Sequence, residues 1–473
     1  MKTIKNLYIS SILSVLCLVG CNDKLEIDPR QSIDALTALQ TEADVESGII
    51  GAYSRMGSGS LYGTNLNIIP ELLGSDSYVR WAGTFQGYRQ LNAKALTANN
   101  SEATRTWINT YSAINNVNNV LSNLDKVKDA SLKRQFEGEA LWIRGMLYFE
   151  LVRLYSLPYL NGVSNDQLGI PISLTAVFNE AGASVKGKRE SVEVVYNQIL
   201  KDLIKSKDLL NTIAPNNVKK DVRRASVFSP MAVLSRVYLT RAGTANSPNI
   251  NLDSAQFYAD KIITSSKFAI LSSLESVFTN KNSRESIFEI EQNEQNNAGQ
   301  TNDGLTTFYA SLVGIGRGDL RVETAFRTSY QANDKRRSEL IYVGVGARPN
   351  FSYSGKWKTF SQNLPVIRLA EMYLTRGECA FRKGDLLNAL SDINVIRRRS
   401  SATDYLITDL SLNNFLRERQ FELAFEGSRI HDLRRLKRNT GSIVFNAPNL
   451  VLPIPEREVR ANTELIQNPG YNN

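Results

Sequence analysis

Apolar side chains recur every three to four residues over most of this chain. In residues 101–127, Trp107, Tyr111, Ile114, Val117, Leu121 and Leu124 fall on one stripe. That is the spacing of an amphipathic helix with one buried face, and Ser101 stands where an N-cap belongs. Residues 135–156 repeat the pattern through Ala140, Arg144, Leu147, Tyr148, Leu151 and Tyr155. Further helices are predicted over 190–210, 228–242, 253–265, 364–383, 385–399 and 411–427. Trp107 and Trp142 lie on such helices and are expected in the core.

One pair of helices carries a finer signal. Gly377, Ala380, Gly384 and Ala389 are spaced by three, four and five residues, the small-residue skeleton that lets two helices approach closely across a tight turn, as in tetratricopeptide repeats. The segment from Ser229 to Ile263 reads as a second such unit with an insertion in its turn. The fold class predicted is therefore mostly α, a tetratricopeptide-like helical-repeat scaffold with little β. Two stretches break the pattern, one near 57–100 and one near 268–362. The second holds ESIFEIE (285–291), which alternates like a short strand, and a Gly-, Asn- and Thr-rich run from 295 to 319. Loops of this kind on a rigid scaffold are where function is expected.

The first residues change the picture of location. Lys2 and Lys5 precede an apolar run from Leu7 to Val19, then Gly20 and Cys21. The run is too short to span a bilayer and fits a signal peptide over residues 1–20. The tetrapeptide LVGC resembles a bacterial lipobox, which makes Cys21 the expected site of lipid attachment. Of three cysteines, only Cys379 then remains in the body of the chain, and it reads as a small buried hydrophobe without a disulfide partner.

Net charge is +9. Basic runs at 186–189, 219–224, 397–399 and 434–438 are interleaved with acids and read as solvated helix faces. An anionic ligand or a lipid surface is the sharper alternative, and a nucleic-acid partner is not expected of an exported lipoprotein. The single histidine, His431, excludes multi-histidine metal sites and reads as structural. Glu289 and Glu291 would share one face of a strand, but nothing else assembles a hydrolytic site around them. GIGRG and GVGAR lack the strand-to-helix setting of a phosphate loop. No enzyme activity, metal or cofactor is expected.

The segments GEALWIRGMLYFELVRLYSLPYL, MAVLSRVYL, ESIFEIE, IRLAEMYLTRGECA, RERQFELAFEGSRIHDLRRL and the closing LPIPEREVRANTELIQNPGY, together with the lipobox, resemble the SusD/RagB-like outer-membrane lipoproteins of the Bacteroidota. The resemblance implies one SusD-like domain over 21–473, with about four helix pairs supporting an irregular binding portion. It implies a non-enzymatic, lipid-anchored protein facing the cell exterior, partnered by a SusC-like TonB-dependent transporter to which it delivers oligosaccharide. Peptide or another polymer as cargo, or a transporter lid with no strong affinity of its own, are the alternatives. The proline-punctuated tail reads as a structural lock rather than a binding surface.

A glycan receptor needs flat apolar rings for sugar C–H faces and polar groups for hydroxyls. The first irregular stretch offers Tyr78, Trp81, Phe85 and Tyr88 with Asp76, Arg80 and Arg89, and the second Phe308, Tyr309, Tyr353 and Trp357. From these, Asp76, Tyr78, Arg80, Trp81, Tyr88, Tyr309, Tyr353 and Trp357 are the candidate ligand-binding residues, with Trp81 foremost. The basic balance adds the expectation that the cargo is acidic.

Overall fold

A computed structural model describes residues 39–177, 187–212 and 221–471. The expected signal peptide, residues 1–20, and the expected lipid-attachment site Cys21 lie outside the described residues. Helices of seven residues or more are α1 (Glu42–Met56), α2 (Asn65–Leu73), α3 (Gln86–Ala93), α4 (Ser101–Ser122), α5 (Ala130–Tyr155), α6 (Val192–Asn211), α7 (Phe228–Ala242), α8 (Ile250–Thr264), α9 (Leu369–Arg382), α10 (Leu386–Arg399), α11 (Leu412–Glu422) and α12 (Arg429–Arg435). Four pairs, α1 with α4, α5 with α6, α7 with α8 and α9 with α10, pack side by side, and each pair also touches the next. This is the expected helical-repeat scaffold.

Local chemistry explains the pairing. In α5, Gly138 and Gly145 face α6, and a Cβ on either would lie about 2.8–3.0 Å from Leu210 or Leu203, so glycine is what lets the two axes close. Arg144 of α5 then grips Asp202 of α6 through two bonds of 2.8 Å. Gly377 of α9 does the same against α10, where a Cβ would sit 3.0 Å from Asp392 Cβ. Gly384, at φ +83°, makes the turn between those helices. The cap of α4 is Asn100, whose side chain accepts from the Glu102 and Ala103 amides, rather than Ser101. Helix α1 was not predicted. Its start is a capping box, in which Asp44 accepts from the Thr41 amide at 2.8 Å and Thr41 from the Asp44 amide at 3.2 Å.

The predicted helix over 364–383 is two elements. Leu364–Arg368 is a strand, β6, paired antiparallel with β2 (Ser286–Ile290), and α9 begins only at Leu369. Four further short strands form an antiparallel sheet in the order β1 (Val79–Trp81), β3 (Leu320–Val322), β5 (Ser352–Ser354), β4 (Ile341–Val343). Of the two glutamates considered for catalysis, Glu289 is buried and accepts from the Asn282 and Ser283 amides and from Asn363. Glu291 lies past the strand, exposed and ion-paired with Arg223.

The basic runs near 397 and 434 are split, Arg398, Lys437 and Arg438 staying exposed as a solvated face would, while carboxylates distant in sequence come to meet the others. Arg397 of α10 is buried and paired with Glu418 (2.7 Å), and the Arg399 side chain, 3% exposed, pairs with Glu285 (3.1 Å) and Glu422 (2.6 Å). Arg368 joins Glu285, Glu422 and Glu426, and Arg336 joins Asp334 and Glu418. Lys356 closes the set on Glu426. Burial would raise the Glu422 carboxyl, but Arg399, Arg368 and Arg336, with Lys356 beside them, outweigh it and hold the group well below the usual range. The network ties α9–α11 to the loop-rich portion, so it sets where those loops sit. Arg434 and Arg435 are buried likewise, and Arg435 grips Glu378. Glu371 and Glu378, both buried, are ion-paired and not solvated. Cys379 is buried and its thiol is pushed up to about 12.

Residues 452–471 lie across the end of α5. The Leu452 amide donates to Leu154 O (2.8 Å), and Asn468 Nδ2 donates to Tyr155 O (2.7 Å) and Leu452 O (2.8 Å). Leu452, Ile454, Leu465 and Tyr471 are buried, while Ile466 is exposed. The segment satisfies carbonyls that the helix end leaves open. No helix among the described residues is long and apolar enough to cross a membrane.

Candidate functional site

Pairing of β1 with β3 brings the two irregular stretches together, Val79 opposite Val322 and Trp81 opposite Leu320. Trp81 then packs on Tyr88 (ring centroids 4.4 Å) and Phe308 (5.1 Å). Tyr88 donates through its hydroxyl to Asn65 (2.5 Å) and accepts from Arg105 (2.8 Å). A second group gathers on Phe425, which leaves the helical path at φ +68° just after α11. Tyr78 stacks on Phe425 (5.6 Å), Tyr309 meets it edge-on (5.7 Å), and Trp357 Nε1 donates to its carbonyl (3.1 Å).

All six expected aromatic contacts are therefore interior. Tyr78, Trp81, Tyr88, Tyr309, Tyr353 and Trp357 are each 5% exposed or less, so none offers a ring face to solvent. The reason is that large rings gain most by burial, enough that Trp81 Nε1 and the Tyr309 hydroxyl are buried without a hydrogen-bond partner among the described residues, while the other hydroxyl and indole groups find one. Tyr353 donates to Arg348 O at 2.8 Å, for example. Asp76 and Arg80 are exposed, but Asp76 sits against Gly441 and Arg80 pairs with Glu323 (2.8 Å), so neither joins the rings.

What the loops do present lies above that base. The segment 82–85 runs over Trp81, and a Cβ on Gly83 would lie 2.7 Å from both Trp81 and Asp319. Three guanidinium groups fasten to three consecutive residues there. Arg348 donates to Ala82 O, Arg89 Nε to Gly83 O (2.9 Å), and Arg317 Nη2 to Thr84 Oγ1 (3.5 Å). Arg317 also lies over the half-buried Phe85 ring at 5.0 Å and donates to Asn302 (3.2 Å). The buried Asp319 carboxylate bridges Arg317 (2.9 Å) and Arg348 (3.0 Å) from below. Burial pushes its pKa up, with both guanidinium groups pulling against the shift. Gly316 and Gly318, both at positive φ, flank Arg317 and let the backbone press on Ala310 and Tyr353.

From Asn302 the surface continues to Gly299, whose carbonyl accepts from the Asn302 amide (3.1 Å) and against which the exposed Phe360 ring packs. Beyond it opens a trench of about 430 Å³ between the end of α1 and residues 296–298, floored by Gly51, Gly57 and Gly59 and edged by Asn109 and Asn296. Sequence reasoning named Phe85 and Arg89 among its loops, passed over Phe360, and set GIGRG aside. The signal available was the glycine on either side of Arg317.

A separate small cavity of about 70 Å³ lies in the scaffold, lined by His431, Arg153, Arg236, Glu150, Glu371 and Asp432. Burial, with Arg153, Arg434 and Arg236 adding to it, holds the His431 pKa well below its ordinary value. Its place in the interior accords with the structural role expected of it. Among the described residues no group of His, Cys, Asp or Glu is arranged to hold a metal ion.

A family model described as "Starch-binding associating with outer membrane" matches residues 25–239, and one described as "SusD family" matches residues 349–444. SusD-like protein P25 of Formosa agariphila is 26% identical, the match covering 99% of this chain and 99% of that protein. Among solved structures, a SusD superfamily protein from Bacteroides thetaiotaomicron matches with a TM-score of 0.79 at 22% identity, over 91% of this chain and 100% of the other. A SusD-like carbohydrate binding protein from Bacteroides vulgatus matches with a TM-score of 0.75 at 20% identity, over 90% and 97%. The last two establish a shared fold.

Proposed function

This chain belongs to the SusD/RagB family, and from that premise we propose that it is a glycan-binding protein of the outer-membrane surface, held there by lipid on Cys21. In this reading it captures oligosaccharide without catalysis and delivers it to a SusC-like TonB-dependent transporter. The observation that carries the reading is the convergence of both loop-rich insertions, near 57–100 and 268–362, on one surface. That surface combines a glycine-floored trench edged by amides with an exposed ring at Phe360. Amide side chains match sugar hydroxyls, and a ring face matches sugar C–H groups.

Titration calorimetry of the lipid-free protein against a panel of oligosaccharides and a panel of peptides tests this. At least one oligosaccharide is expected to bind, with Phe360→Ala weakening it about tenfold, the scale of one lost stacking contact. Binding of peptides alone, or glycan affinity indifferent to Phe360→Ala and Asn109→Ala together, would sink the assignment.

A further inference from the structure

Neutral sugars stack on bare rings, yet the two half-open phenylalanines nearest the loop apex are not bare. Phe85 carries the Arg317 guanidinium at 5.0 Å, and Phe351 carries that of Arg321 at 3.4 Å. What faces solvent above the aromatic base is therefore cationic nitrogen. The rings act as seats for the guanidinium groups.

Charge arithmetic points the same way. Around residues 82–84 stand Arg89, Arg317 and Arg348, and among the described residues the only carboxylate bonded to them is Asp319. Adding Arg321, and Arg105 with its partners Glu102 and Asp303 beneath the stack, leaves two positive charges in excess. Arg317 and Arg348 are 30% and 28% exposed along their side chains. Arg89 is exposed, its Nε is fixed on Gly83 O, and its two terminal nitrogens have no partner among the described residues. A forked donor held at its base with its tips open is the arrangement that accepts a carboxylate or sulfate in two bonds.

We propose that the ligand of this surface is an anionic glycan, whose carboxylate or sulfate groups are bound by Arg89, Arg317 and Arg348 while its neutral rings run on toward Phe360 and the trench. The inference rests on the glycan-capture reading and specifies its substrate class. Three probes separate the possibilities: oligogalacturonate for carboxylate, a sulfated galactan oligosaccharide for sulfate, and maltoheptaose for a neutral chain.

One of the two anionic probes is expected to bind, with affinity falling at least about tenfold between about 0.1 and about 1 M salt as screening tightens. Arg89→Gln, which removes an exposed group bonded to one carbonyl, is expected to weaken that probe about tenfold with an unchanged unfolding midpoint. Arg348→Gln is the second variant, its folding checked in the same way. Binding of maltoheptaose in preference to both anionic probes overturns the inference and leaves glycan capture standing, as does anionic binding that neither variant weakens. Failure of all three probes counts against glycan capture itself and takes the inference with it.

Discussion

Replacing Arg368 by Met tests whether the buried charge network fixes the loop-rich portion to the scaffold. Arg368 is 1% exposed and bonds to Glu285 at 2.6 Å, Glu422 at 3.1 Å and Glu426 at 2.7 Å. None of the three is stranded by its loss, since Glu285 and Glu422 keep Arg399 (3.1 and 2.6 Å) and Glu426 keeps Lys356. The set is left with one negative charge in excess in a buried place. Removing one partner of a buried pair costs about 3–5 kcal/mol, and the surviving contacts put this case near the lower figure, against a total stability of roughly 5–15 kcal/mol for a folded domain. Urea unfolding followed by circular dichroism at neutral pH should show a midpoint shift of that size. Adding Glu285→Gln restores the balance of charge and should return about 1 kcal/mol or more. A loss under about 1 kcal/mol for Arg368→Met, or a double variant weaker than the single by the full cost of Glu285→Gln, would refute the reasoning.

His431 is the only histidine, and its folded pKa lies well below the ordinary value through burial and neighbouring arginines. The folded protein therefore refuses a proton that the unfolded chain accepts, and stability falls as pH drops below about 6.5, by up to ~1.4 kcal/mol per unit. Urea midpoints at pH values on either side of that point should differ in the native protein and less in His431→Gln, whereas equal slopes would contradict this. Asn468→Ala removes two buried bonds, to Tyr155 O and Leu452 O, and should cost about 1–3 kcal/mol in thermal unfolding. An unchanged midpoint would deny the tail its role as a lock. Gly377→Val sets carbon about 3.0 Å from Asp392 Cβ and 3.1 Å from Phe415, an overpacking expected to cost about 1–3 kcal/mol, and a stable variant would mean that α9 and α10 can separate freely.

The scaffold was legible because its signals are local. A stripe at helical spacing, or glycines where two helices cross, can be read within a short window, and α4 to α10 follow those windows closely. Burial of the loop aromatics was not legible, because it depends on partners far away in sequence. Trp81 is placed by β3, more than two hundred residues later, and Trp357 by Phe425. Aromatics in a Gly- and Ser-rich loop read as exposed platforms until that pairing is seen. The arginine runs misled for the same reason, since Arg399 looks solvated until Glu285, 114 residues earlier, is brought beside it. Strand β6 was taken for the first turn of α9 because its apolar residues run straight into the helical stripe.

The clasp between α5 and residues 452–471 also imposes an order of events. Tyr155 is synthesised 313 positions ahead of Asn468, which shares the Tyr155 carbonyl with Arg189. Arg189 reaches that carbonyl earlier, at 3.2 Å, so until the tail arrives the end of α5 is held on one side only. A chain interrupted anywhere short of the tail can form its repeats but cannot seal them. Full closure of that helix end thus waits until residues 452–471 have been made.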